Sequence, residues 1–149
     1  MRARRGLALA AVLAVLVILS MVVAMSAQRA LLVARQGVLD LARADIAASV
    51  ASAQAALLDE DAGSARVAGI GFGVPVASGV VTAGTAQAHW RLVGAAAPFA
   101  TGEIESWAPV HVGVAREVLR ALLTPRIDSA GVARWALVGG AGWVRVPLP

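Results

Sequence analysis

Residues 7–27 contain no charged side chain, and the six residues before them hold three arginines, Arg2, Arg4 and Arg5. As a helix, those 21 residues rise about 32 Å at ~1.5 Å per residue, enough to cross a hydrocarbon core of about 30 Å. A polypeptide with such a segment must place it in lipid, lose it after export, or bury it against other chains. Arginine ahead of the span fixes orientation. It holds the N-terminus on the cytoplasmic side and sends the rest across. One span and one small extracytoplasmic domain are the expectation, since the rest of the 149 residues suffices for a single core.

The sequence pI near 11.5 invites a nucleic-acid reading, but the charge is unevenly placed. All 13 basic residues are arginine, and three precede the apolar run, so ten face nine carboxylates over the remainder. They are dispersed, with no aromatic-interleaved cluster of the kind a nucleic-acid groove requires, and no nucleic-acid partner is expected. Cysteine is absent, which removes disulfides, thiolate metal sites and a lipid-modified cysteine anchor.

The helical pattern runs beyond the apolar segment to about Leu58. Leu39, Ala42, Ile46, Val50, Ala53 and Leu57 recur at steps of three or four and form one apolar stripe. Gly37 lowers helix propensity by about 1 kcal/mol relative to alanine and marks a potential bend. Three carboxylates, Asp59, Glu60 and Asp61, then Gly63, are expected to end the helix, because negative charge is unfavourable at its C-terminus. Beyond Gly63, glycines and β-branched runs predict short strands over 74–82, 86–93, 103–107, 112–123, 135–138 and 143–146. Gly84, Ala97-Pro98, Pro109, Thr124-Pro125 and Gly139-Gly140 read as turns between them. The 114–123 segment also fits a helix through Val114, Val118 and Leu122, and is read as a long strand. The fold class expected is α+β, a long N-terminal helix whose first half is transmembrane, packed on a small antiparallel sheet. The chain divides into a basic leader (1–6), a transmembrane segment (7–27), an amphipathic helix (28–60) and an extracytoplasmic sheet domain (61–149).

A basic leader ending in Arg4-Arg5-Gly6, then about twenty apolar residues and an amphipathic helix, resembles the class III signal of type IV prepilins and type II secretion pseudopilins. The segments around Trp90–Val93, Gly102–Ser106 and 112–123 are similar in order to the sheet of minor pilins. The resemblance implies cleavage by a prepilin peptidase between Gly6 and Leu7 and methylation of the new N-terminus. It also implies a helix lying on a four-stranded sheet, and assembly with other pilin or pseudopilin subunits from a membrane-embedded pool in contact with lipid. Major pilins carry phenylalanine after the cut and glutamate as the fifth mature residue, where this chain has Leu7 and Ala11. The resemblance therefore implies a minor subunit of a pilus or secretion filament. Two other readings stand beside it, a plain single-pass anchor carrying a partner-binding domain, and an export signal cut after Ala24 or Ala27. A core of 21 residues exceeds the ~7–15 usual for an export signal.

Candidate chemistry is sparse, and neither an enzyme nor a cofactor is expected. Ser106, His111 and Asp128 form a conceivable triad, but no nucleophile elbow surrounds Ser106 or Ser129. His89 and His111 have no further ligands at metal-binding spacing. Gly69 to Gly73 is glycine-rich but lacks the spacing of a phosphate loop and reads as a connection. Glu103 and Glu105 share one face of their strand and read as a solvated edge rather than a cation site. Trp90, Trp107, Trp135 and Trp143 read as sheet packing or, alternatively, as an aromatic contact for other subunits or a secreted substrate.

Overall fold

The computed structural model describes residues 2–63, 71, 73–110 and 113–147, with the backbone alone for residues 2–11. One helix, α1 (Arg2–Asp59), is followed by β1 (Pro75–Ala83), β2 (Ala86–Gly94), β3 (Ala100–Pro109), β4 (Val114–Ile127), β5 (Ala133–Leu137) and β6 (Val144–Arg145). The fold is α+β, a long apolar-led helix and an antiparallel sheet ordered β1-β2-β3-β4-β5, with β6 paired to β4. The sheet thus has more than the four strands that the resemblance implied.

Two compact units divide the chain, Met1–Leu39 and Asp40–Pro149. In the first, α1 passes Gly37 without interruption, and every described side chain from Val12 onward is exposed. The hydroxyls of Ser20 and Ser26 donate to the carbonyls of Val17 and Val23, each at 2.8 Å. The two hydroxyls of the uncharged part, residues 12–27, are thereby satisfied inside the helix, as a lipid environment would require. Val12–Asp59 is long and apolar enough to cross a membrane.

The second unit contains the core. Ala42, Ile46, Ser49, Val50, Ala53 and Leu57 are buried on one stripe of α1, whereas Leu39, expected at its start, is 44% exposed. The opposing surface comes from alternate residues: Ala88, Trp90 and Leu92 on β2, Ile104 and Ser106 on β3, and Leu119, Ala121 and Leu123 on β4. Period-2 alternation in β2 and β3 and period-3.6 spacing in α1 meet at this interface. Small residues on both sides let the backbones approach. Within it the Ser49 and Ser106 hydroxyls lie 2.7 Å apart, both fully buried, and Ser49 also donates to the Ile46 carbonyl at 2.9 Å.

Helix and sheet are also clamped at their margins. β1 and β2 join through Gly84-Thr85, with Gly84 at φ +55°, a two-residue hairpin turn with glycine at its first central position. Asp45 of α1 accepts from the Thr85 backbone N–H and the Thr85 hydroxyl, both at 2.8 Å. A Cβ at Gly84 would collide with that carboxylate. At the end of α1, the Arg134 guanidinium from β5 pairs with the Asp59 carboxylate and donates to the Asp59 carbonyl at 3.1 Å. A cation at the helix C-terminus offsets the acidic run that terminates it.

Some turn expectations are corrected. Thr124-Pro125 lies within β4, and Pro109 is the last residue of β3. Proline is tolerated at 125 because β3 pairing ends at Leu123, leaving β5 as the only neighbour. β3 begins at Ala100 and β4 extends to Ile127, so both exceed their expected spans. The segment 114–123, read as a long strand although it also fits a helix, is strand. A second stretch without Asp, Glu or Arg, residues 67–90, supplies β1, the hairpin and half of β2 in its described part. His111 and Val112, and most of the glycine-rich 69–73 segment, lie outside the described residues.

Two measurements follow. Replacing Ser49 with alanine removes the hydrogen-bond partner of the buried Ser106 hydroxyl and is expected to cost about 1–2 kcal/mol in unfolding free energy. The Ser49→Ala/Ser106→Ala double variant should recover part of that loss, and denaturant melts of the set check the coupling. The second concerns pH. The Thr85 N–H, then its hydroxyl, hold the Asp45 carboxyl below the ordinary carboxylate range. Its stabilisation is therefore present above the unfolded value of about 4 and fades as pH falls through the lower native value. Thermal midpoints of wild type and Asp45→Asn should differ at neutral pH and converge on acidification.

Candidate functional site: the sheet face turned away from the helix

Strand alternation that buries one face on α1 presents the other set of side chains together. Register places Ser78, Arg91, Glu103 and Arg120 in one row across β1–β4. The next row holds Val80, His89, Glu105 and Val118, and the next Thr82, Gln87, Trp107 and Arg116. Cross-strand neighbours at this spacing interact directly.

The central feature is Glu103. Its side chain is 15% exposed, one oxygen pairs with Arg91 Nε, and the other meets Arg120 Nε at 2.7 Å. Glu105 pairs with Arg116 Nη2 at 2.6 Å, one row along. The His89 ring sits edge-on to the Trp107 indole, with centroids 4.5 Å apart at 63°. The two glutamates, their three arginines and His89, with Val80 and the tail residues Val146 and Pro147, line a concavity of about 650 Å³. The tail is held there by the Val146 N–H, which donates to the Val118 carbonyl at 2.8 Å.

Glu103 and Glu105 therefore occupy the central strand β3, not an edge, and each is neutralised by arginine from a neighbouring strand. Two alternating carboxylates on one strand are costly side by side unless cations flank them, and β2 and β4 supply those cations. Trp90 and Trp135 are buried in the core, Trp143 packs against it, and Trp107 belongs to the face turned away from α1. Ser106 points into the interior and is tied to Ser49. Asp128 closes the β4–β5 connection, accepting from the Ala130 and Val132 N–H groups at 2.8 and 2.9 Å. The structure does not bring these two members of the conceivable triad together, and His111 lies outside the described residues. Among the described residues no group of three His, Asp or Glu is placed to hold a metal ion. Gly6 and Leu7 lie in α1, where only the backbone is described.

What the face offers chemically is recognition, with paired charges of alternating sign around a shallow apolar floor. Sequence reading found the alternation of Glu103 and Glu105, but not the arginines opposite them. Arg91, Arg116 and Arg120 carry the same period-2 spacing on the flanking strands, and that spacing was the available signal. No family model, no curated protein and no solved structure matches this chain.

Glu103→Gln leaves Arg91 and Arg120 facing each other across β3 without a shared anion. The expected cost is about 1–2 kcal/mol for a half-exposed network. Denaturant midpoints should show the wild-type advantage shrinking in about 1 M salt, where the Debye length falls to about 3 Å.

Proposed function

We propose that the chain is a minor pilin or pseudopilin, a structural subunit of a type IV pilus or type II secretion-like filament. In this reading a prepilin peptidase cuts after Gly6 and the mature chain starts at Leu7 with a methylated amine. Before assembly the subunit is a single-pass inner-membrane protein with a cytoplasmic N-terminus and an extracytoplasmic sheet domain, and other pilin or pseudopilin subunits are its partners. The observation that carries the reading is how far exposed apolar surface continues along α1. A bilayer crossing needs about 20 residues, and residues 7–27 supply it. Yet Leu31, Leu32, Val33, Val38 and Leu41 follow on the same helix at 47–67% exposure. A plain anchor has no use for that surface, whereas a helix that packs against other helices outside the membrane does. Ala11 suits a subunit that offers no carboxylate to a neighbour's amine, such as one at a filament tip or in a priming complex.

A second reading has one observation in its favour. The charged concavity on β1–β4 suits a single-pass anchored domain that binds an extracytoplasmic partner.

N-terminal sequencing of the protein recovered from membranes and from sheared filaments separates the two. The filament reading expects a methylated start at Leu7, an uncut membrane-bound precursor for Gly6→Leu, and low abundance relative to a major subunit. Ala11→Glu should raise incorporation along the fibre, whereas in a plain anchor it adds only an intramembrane acid. An intact Met1 in every fraction, or a start at Gln28, overturns the filament reading.

A further inference from the structure

We propose that β1 is an acceptor edge that takes an extended segment of another protein as an additional strand, a segment alternating apolar and acidic residues. β1 runs from Pro75 to Ala83 and, among the described residues, pairs only with β2. β1 contains no charged residue, whereas β2 to β6 each contain at least one. Edge strands are ordinarily guarded by charge, shortness or cover. The opposite side of this sheet has all three: β5 spans five residues, β6 spans two, and both carry arginine. Asp61 and Ala62 also cover the outer side of β5, through an Asp61–Arg134 bridge and the Ala62 N–H donating to the Ala133 carbonyl at 2.9 Å. On the β1 side, among the described residues, such guards are confined to Pro75 and the register irregularity between Pro75 and Ala77.

Register identifies the free groups. In a two-residue hairpin the residues flanking the turn exchange both hydrogen bonds, and the pairs alternate from there. Ala83–Ala86, Val81–Ala88 and Gly79–Trp90 are then the bonded pairs. Ser78, Val80 and Thr82 turn their N–H and C=O groups outward, and all three are exposed. This row of donors and acceptors is what strand addition uses.

The occupant follows by elimination and by charge. A second copy offers its own β1, which holds no carboxylate, or its β5, which carries Arg134 and no carboxylate, so neither supplies an alternation of apolar and acidic residues. On the face turned away from α1, an added strand lies beside Ser78, whose small side chain leaves Arg91 reachable at 63% exposure. Arg91 is the charged side chain of this face nearest an added strand, with Glu103 one strand further in, which favours a carboxylate on that side of the incoming strand. On the helix-facing side Trp90 lies so close to Gly79 that a Cβ would sit 2.7 Å from the indole. That ring offers an apolar neighbour to the alternate residues.

The proposal does not rest on the filament reading. The test uses the full chain in detergent micelles and a fluorescent capped peptide of about nine residues that alternates valine with aspartate or threonine. Hydrogen exchange of the Ser78, Val80 and Thr82 amides should be fast in the free protein and slow about tenfold at saturation, and a peptide with lysine for aspartate should bind about tenfold more weakly. Val80→Pro removes one outward donor and should weaken binding by a similar factor, while the exchange map on wild type stands whether or not that variant folds. No binding at about 1 mM peptide, or protection elsewhere, overturns the proposal. So does protection of the three amides in the free protein, which would mean the chain's own residues cover this edge. Equal binding of the lysine peptide overturns the acidic specification.

Discussion

Burial of one stripe of α1 on one face of the sheet is the contact on which the rest of the domain depends. Ala42, Ile46, Val50, Ala53 and Leu57 and the inward residues of β2, β3 and β4 belong to one buried cluster, and this contact is what covers most of it. Three- and four-residue steps on the helix and two-residue steps on the strands generate flat apolar surfaces of comparable length, and each covers the other. The Ser49–Ser106 pair sits inside that interface. A buried hydroxyl is tolerable only with a partner, so any sliding of α1 along β3 leaves the Ser106 hydroxyl unsatisfied. The pair contributes less to stability than to fixing where along the sheet the helix rests. Asp45 on the hairpin turn and Arg134 on the helix end constrain the same placement from both sides.

With one face committed to the helix, strand alternation leaves the other to charge. Glu103 and Glu105 are adjacent on that face of β3, and β3 is flanked on both sides, so arginine from β2 and β4 is the available counterion. The ladder is thus a consequence of topology. The same pleat that places Ile104 and Ser106 in the core places the two carboxylates between Arg91, Arg116 and Arg120.

The helix, its stripe and most strands were legible because their periods are local. Ile46, Val50, Ala53 and Leu57 can be read off a single segment, and so can the alternation from Gln87 to Val93. Leu39 fits the stripe in sequence but stays exposed, because burial depends on what lies opposite. Thr124-Pro125 read as a turn because proline opposes central strands. What made it acceptable, the end of β3 pairing at Leu123, is a fact of topology. The arginine–glutamate ladder, the Ser49–Ser106 pair and the Asp45–Thr85 clamp join residues 11 to 57 positions apart, and no single-segment pattern encodes such contacts. Spacing showed that Glu103 and Glu105 share a face, but not that their strand is central.

Charge reads differently once it is assigned to the folded unit. From Asp40 onward the chain carries eight arginines against nine carboxylates, so the domain is slightly acidic despite a pI near 11.5 for the whole chain. The excess of positive charge lies ahead of it, in Arg2, Arg4, Arg5, Arg29 and Arg35. Six of the domain's arginines are held in ion pairs with its own carboxylates. A domain neutralised internally exerts little long-range field, and steering over distances beyond about 8 Å is screened at physiological salt in any case. Its associations must therefore be decided at contact, by apolar helix surface, by exposed strand groups and by local charge on the sheet. In the proposed membrane-anchored subunit, the arginines before residues 7–27 act on a separate problem, the direction of insertion.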